Sequence, residues 1–259
     1  MAHIAIIGLG NMGGALARGW GKAHVVYGYD PNVHQDALGP HVHLTSSANE
    51  AATKAQYVIL AVKPQIAEAV TRGLRLPTGT VLVSVAAGIP VARLKEWSGG
   101  APVVRVMPNT PALIGQGVFA LCVEDPDLSS EAKTEVPDLF AELGQTHILP
   151  ERLLDAYTGL IGSGPAYVFA FMEALIDAGV LVGIARTEAT AMVRALIAGS
   201  VAMTQEPNAH PALLREAVTS PGGTTIAGLA TLDACGFRHA IFEAVRAATR
   251  RSEELGRGV

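Results

Sequence analysis

Two hydroxyls beside two glycines stand out in the run Ser220-Pro221-Gly222-Gly223-Thr224-Thr225. Pro221 sets one backbone dihedral, Gly222 and Gly223 permit left-handed or closely approached backbone, and the apolar, small-residue run 226–235 that follows suits a buried helix. Thr224 and Thr225 therefore stand at a helix N-terminus. Unpaired N–H groups and the helix dipole favour an anion there, so a ligand carboxylate can be held without Arg or Lys. Ser and Thr are also the usual N-caps, and the same residues read equally as a capped turn.

A second chemistry-bearing run is Gly8-Leu9-Gly10-Asn11-Met12-Gly13, between the apolar residues 4–7 and the helical stretch 15–20. Strand, glycine turn and helix in that order hold a dinucleotide pyrophosphate. Gly8 allows the tight turn, Gly10 lets backbone approach the phosphates, and Gly13 lets the helix pack closely on the strand. Asp30 ends the next apolar strand, 25–29, about twenty residues past the first glycine, where a carboxylate accepts hydrogen bonds from the adenosine ribose hydroxyls. Its other reading is a turn residue before Pro31. Strands over 57–62, 80–85 and 103–107 then end in Ala61-Val62-Lys63-Pro64, Ala86-Ala87-Gly88 and Pro108-Asn109-Thr110-Pro111. Open α/β sheets hold their ligands at such carboxyl ends, so these three loops, Asn109 included, join the glycine loop and Asp30 as candidate cofactor contacts. Lys63 reads as readily as a solvated lysine.

The elements that must position these residues divide the chain. Strands over 117–123 and 145–149, around a helix at 131–143, complete a sheet, and residues 1–150 make a dinucleotide-binding domain. Residues 151–259 carry only helix patterns, at 153–164, 166–182, 187–205, 211–219, 225–235 and 238–255, separated by Gly, Pro or Asn. The helix at 166–182, with Phe169, Phe171, Met172, Leu175, Ile176 and Val180, is apolar on more than one face. Such a helix must be buried from most sides, against a second subunit or as the central helix of a monomer.

Composition narrows the function classes. With 259 residues and 49% hydrophobic content the chain can bury a large core without staples. A net charge of -4 and no Lys/Arg run argue against a nucleic-acid surface. The two cysteines, Cys122 and Cys235, lie outside any metal-ligand spacing, so no metal site and a reducing compartment are expected. No basic leader and no uncharged apolar run of membrane-spanning length is read from the pattern, which points to a cytoplasmic protein without a membrane partner.

The set GLGNMG, AVKPQ, SVAAGI, RVMPNTPALIGQGV, GSGPAYVF and VTSPGGTTIAGLATLDACGFR, in this order across nearly the whole chain, resembles the pyrroline-5-carboxylate reductase family. The resemblance implies an α/β Rossmann-type N-terminal domain carrying NADP or NAD and an all-α C-terminal dimerisation domain. It implies an intertwined homodimer, often assembled into decamers, and reduction of the small-molecule imine L-1-pyrroline-5-carboxylate to L-proline, the final step of proline biosynthesis. By the same resemblance Gly223, Thr224 and Thr225 hold the substrate and Thr225 matches the proton donor. Glu151 matches a position near the substrate, and Thr158 lies on the facing helix. Three residues depart from the family's habit: Ala48 stands where Asn is frequent, Ile161 where Ser is common, and Ala217 where Gln or Asn is usual. The alternatives are a reductase of another cyclic imine or of a small hydroxy or keto acid, and a noncatalytic NAD(H)-binding regulator. Hydroxyacid dehydrogenases of similar layout take an acid/base Lys from the helical half, and no Lys follows Lys133.

Asp30 sets the first expected outcome. A carboxylate facing a 2′-phosphate puts like charges together, and no Arg or Lys stands among Pro31, Asn32, Val33 and His34 to offset it. NADH is expected to serve at least as well as NADPH, which a comparison of their specificity constants measures.

Overall fold

The computed structural model describes residues 1–35, 38 and 40–257. Alternation organises the sheet. In β1 (His3–Ile7), Ile4 and Ile6 enter one apolar cluster while Ala5 and Ile7 enter another, and in β4 (Tyr57–Leu60) the pairs Tyr57/Ile59 and Val58/Leu60 divide the same way. Successive side chains of a strand point to opposite faces, so a strand covered on both sides reads as a continuous apolar run.

Eight strands form one sheet in the order β3-β2-β1-β4-β5-β6-β7-β8. The others are β2 (Val25–Tyr29), β3 (Val42–Leu44), β5 (Val81–Ser84), β6 (Val103–Met107), β7 (Gly117–Cys122) and β8 (Gly144–Ile148). All neighbours pair parallel except β6 and β7, which are antiparallel. Only residues 108–116, with a short 3₁₀ turn, Thr110–Ile114, and Gly115 at φ 73°, separate β6 from β7. A parallel crossover needs a dozen or more residues, so the chain can only turn back. The parallel pairing places the carboxyl ends of β1, β2, β4, β5 and β6 on one edge, and with them the loops at 8–10, 30–32, 61–63, 85–88 and 108–109.

Helices α1 (Asn11–Trp20), α2 (Ala48–Ala52), α3 (Pro64–Gly73), α4 (Val91–Trp97) and α5 (Ala132–Ala141) connect these strands. The Trp20 indole N–H donates to Leu139 O at 2.7 Å and its ring meets Phe140 edge-on at 5.0 Å, which ties α1 to α5 without an unsatisfied donor.

After β8 the described chain is helical: a 3₁₀ turn Glu151–Leu153, α6 (Leu154–Tyr157), a π turn Thr158–Gly162, α7 (Gly164–Leu181), α8 (Arg186–Met203), α9 (Pro211–Ala217), α10 (Thr224–Ala234) and α11 (Phe237–Arg257). The chain forms two compact units, one of Met1–Ser163 with the chain from Val245 onward, the other Gly164–Ala244. The change from strand-and-helix to helix alone comes earlier, at residue 150. One expectation is corrected here. Residues 151–181 are long and apolar enough to cross a membrane by length and composition, where the sequence pattern read no run of that span.

The second unit lacks a core of its own. In 164–244 only Ala189 and Val193 are buried. Gly179 lets α7 approach Ala189 of α8, and Phe171 lies 6.1 Å from Phe237, yet Phe169 is 64% exposed and Leu181 86%. Apolar faces of this extent in a protomer mark a protein interface. A homodimer is therefore expected that persists at nanomolar concentration in sedimentation, since an obligate interface typically buries roughly 2,000 Å² or more. A folded, active monomer under those conditions would contradict it.

Candidate active site

The glycine loop separates what the chain itself demands from what is left free for a ligand. Gly8 follows β1 at φ +94°, and a Cβ there would stand 2.7 Å from Ala61 O. A Cβ on Gly13 would come within 1.9 Å of Gly8 O, so α1 packs on the strand end only because position 13 is glycine. Around Gly10 a Cβ would meet nothing within 4 Å. Gly10 is the N-cap of α1, extended at φ -63° and ψ -160°, with no side chain capping the helix. The free N–H groups and the space over Gly10 suit the pyrophosphate of a dinucleotide.

A cleft of about 580 Å³ opens beside this loop, lined by Gly8, Gly10, Asp30, Ala61, Val62 and Lys63 among others. Its size and largely apolar wall suit the adenosine half of such a cofactor. Asp30 stands at its rim. Oδ2 accepts the Leu9 N–H at 2.8 Å and Oδ1 accepts the Asn32 N–H at 2.9 Å, so the carboxylate ties the glycine loop to its own turn while each oxygen keeps acceptor capacity. The turn reading and the ligand reading of Asp30 are thus compatible. Lys63 is the N-cap of α3, extended in its backbone, with Pro64 at the first helical position, and it lines the same cleft as Asp30.

The remaining cofactor candidates divide. Asn11 is exposed at the start of α1. Met12 is partly buried against the core, and the Leu9 side chain is buried in the core, where it fills the space beside Gly28. Leu9 can face a cofactor only through its backbone. Ala86, Ala87 and Gly88 follow β5 on the ligand edge, with Gly88 at φ +78°. Asn109 follows β6 and is 7% exposed; its Oδ1 accepts the Val118 N–H at 2.9 Å and so fixes the turn into β7.

Glu151 is occupied inside the first unit. Its Oε1 accepts the Val91 N–H at 2.7 Å and lies 3.3 Å from Nη1 of the buried Arg105, while its own N–H donates to Glu124 at 2.8 Å. Thr158 begins the π turn and its hydroxyl donates to Leu154 O at 2.7 Å. Neither contact is visible in sequence, since each partner lies in a different element or in the helix backbone.

In the second unit, Gly223 is the N-cap of α10, at φ -80° and ψ 176°, and Gly222 turns the chain at φ +67°. A Cβ on Gly223 would fall 2.3 Å from Ser220 Oγ and would require that side chain to turn away. Thr224 and Thr225 are the first two residues of the helix. The capped-turn reading is corrected: glycine, not a hydroxyl residue, is the N-cap, and neither threonine hydroxyl has a partner among the described residues. The sequence pattern did not single out the wall that α3 gives the cleft, Ile66, Ala69, Val70 and Gly73. Their spacing on one helix face was the available signal, and Ile66, 51% exposed, faces the cleft where a core helix would hide it.

A family model described as pyrroline-5-carboxylate reductase dimerisation matches residues 151–255, and one described as NADP oxidoreductase, coenzyme F420-dependent, matches residues 3–88. The pyrroline-5-carboxylate reductase of Synechocystis sp. is 38% identical over 98% of this chain and 98% of its own. The chain belongs to the pyrroline-5-carboxylate reductase family. Among solved structures, Plasmodium falciparum pyrroline carboxylate reductase with NADP bound superposes with a TM-score of 0.91 at 34% identity, covering 98% of each chain. The 1-pyrroline-5-carboxylate reductase of Streptococcus pyogenes gives 0.89 at 31% identity, covering 97% of this chain and 98% of its own. The α/β Rossmann-type half and the helical dimerisation half are thus those of this family. The family's cofactor is NAD(P), and the glycine loop and cleft fit it.

The three glycines are expected to respond differently to one added methyl. Gly10→Ala should fold with parental stability and weaken NAD(P)H binding by tenfold or more, about 1.4 kcal/mol or above, because its Cβ enters the space left for the phosphates. Gly13→Ala should lower the melting temperature itself, since its clash is with backbone. Calorimetry paired with cofactor titration separates the two.

Proposed function

We propose that the chain reduces L-1-pyrroline-5-carboxylate to L-proline with NAD(P)H, as the last step of proline biosynthesis. The observation that carries this reading is the glycine-capped N-terminus of α10, which presents free N–H groups and two unpartnered hydroxyls in a chain that also holds a dinucleotide cleft. The division of labour follows the two halves, 1–150 for the cofactor and 151–259 for dimerisation and substrate.

Gly223, Thr224 and Thr225 hold the substrate carboxylate through the backbone N–H groups of the first turn. An anion there faces the positive end of the helix dipole, and no bulky cation is needed beside the protonated imine. Thr225, half-buried, sets its hydroxyl at the ring nitrogen, donating to the neutral imine and accepting the N–H once that nitrogen is protonated. The bound reduced nicotinamide supplies hydride to the imine carbon. A cyclic imine is readily protonated, so the residues of this chain chiefly orient it and keep a donor at nitrogen. Glu151 Oε1 and the Thr158 hydroxyl are engaged within the first unit, and the two residues act through their positions. Asp30 receives the ribose hydroxyls, and Lys63 faces the same cleft. The enzyme works as a homodimer through the helical half, in the cytoplasm.

A small-acid dehydrogenase of the Lys-dependent kind is disfavoured by the absence of Lys beyond Lys133. A noncatalytic NAD(H) sensor would not need a second anion site, and the SPGGTT turn is intact.

Thr225 tests the reading directly. Because Gly223 is the cap, Thr225→Ala should change stability by no more than about 0.5 kcal/mol. Turnover per folded dimer at saturating imine and cofactor should fall roughly tenfold or more, since general acid assistance is typically worth about 10². Thr225→Ser should recover much of that loss. An Ala variant running at the parental rate would remove Thr225 from the chemistry.

A further inference from the structure

The loop after β5 is held from two sides by residues that touch no part of the cleft. On one side the Val91 N–H, just beyond Ile89 and Pro90, donates to Glu151 Oε1 at 2.7 Å. On the other, Gly88 lies against the last turn of α11: a Cβ on Gly88 would be 3.1 Å from Gly256 N, and one on Gly256 would be 2.4 Å from Gly88 O. Backbone meets backbone at that point.

The two supports converge. Arg105, buried in β6, lies 3.3 Å from Glu151 Oε1 and 3.6 Å from Asp155 Oδ1. Asp155 in turn accepts the hydroxyl of Ser252 at 2.6 Å, on α11 one turn before Gly256. One helical turn earlier still, α11 crosses the π turn so closely that a Cβ on Gly159 would stand 2.3 Å from Thr249 Oγ1. Thr249, Ser252 and Gly256 are spaced three and four apart and so share one face of α11. Arg105, 5% exposed, is thus bracketed by the carboxylates that set both anchors of the loop.

We infer that Glu151 and Gly256 are positioning residues for the cofactor, holding the Ala86–Gly88 loop at the carboxyl end of β5. This rests on the proposed reading of that loop as part of the NAD(P)H site. β5 neighbours β4, whose own end loop lines the cleft, so the two loops share an edge. At such a site a backbone shift of even an ångström weakens binding steeply, because every donor on the loop moves with it. Glu151 acts through the Val91 amide and the α11 terminus through Gly88, and neither residue touches the imine.

The experiment uses the full-length dimer and has three readouts: NADH affinity by fluorescence titration without imine, the KM for imine, and amide hydrogen exchange over 86–91. Glu151→Ala and Gly256→Val are expected to weaken NADH binding by about fivefold or more and to speed exchange over 86–91, while the KM for imine moves by less than about twofold. Glu151→Gln keeps an acceptor for the Val91 N–H and should restore most of the affinity. Gly256→Ala is the milder partner should the Val variant fail to fold. Unchanged NADH affinity with a raised imine KM would make Glu151 a substrate contact and overturn the inference. Faster exchange throughout the first unit with NADH affinity unchanged would reduce the network to packing and overturn it too. A parent enzyme that binds NADH but leaves pyrroline-5-carboxylate untouched would refute the proposed reaction and not the positioning, because the titration needs no imine.

Discussion

Most of the second unit's apolar surface has no partner within its own protomer, and the rest of the structure depends on that surface being covered. Fully burying one Phe or Leu side chain is worth about 1.5 to 3 kcal/mol, and α7 alone carries Val168, Phe169, Phe171 and Leu181 largely in the open. A handful of such side chains matches the whole net stability of an ordinary domain, roughly 5 to 15 kcal/mol. A protomer that left them in water would have little to hold α7, α8 and α10 in register. Covering that surface is what a second copy of the chain supplies. The same surface gives residues 151–181 their membrane-like composition, and a family model for dimerisation covers it.

Both halves of the chain start a helix in the same way. At α1 and at α10 the N-cap is a glycine with extended backbone, and no side chain caps either helix. A Ser or Asp cap would satisfy one of the first-turn N–H groups and stabilise the helix, but it would also occupy the position from which those groups reach a ligand. Glycine gives up that stabilisation and leaves the first-turn donors of both helices free of a side-chain cap. Gly10 and Gly223 differ in what surrounds them: space at Gly10, the Ser220 side chain at Gly223.

The first unit contributes rigidity of a different kind. Gly8, Gly13 and Ala61 meet at distances that admit no further atom, and Gly88 meets Gly256 in the same way. Contacts of backbone on backbone cannot be relaxed by rotating a side chain. They carry the position of α1 directly to the loops that line the cleft, and that of the end of α11 to the loop after β5. Arg105, held among Glu151 and Asp155, supplies the polar counterpart of that stiffness within the core.

Sequence alone determined the features whose causes are local. Apolar runs of strand length, the spacing of the glycines in GLGNMG, the proline-glycine turn before Thr224 and the loss of strand pattern after residue 150 each follow from what a few consecutive residues can do, and together they fix the family. Tertiary structure decided the rest, because the answers lie in distant residues. The antiparallel turn of β7 depends on how few residues separate it from β6. The use of the Asp30 carboxylate depends on where the Leu9 amide comes to rest, and Glu151 takes its place from Val91 and Arg105. Whether a threonine caps α10 depended on where the helix begins: at Thr224, one residue before the 225 read from sequence, which leaves Gly223 as the cap. A helix start is set by the last residue that can adopt extended backbone, and next to two glycines the sequence leaves that choice open.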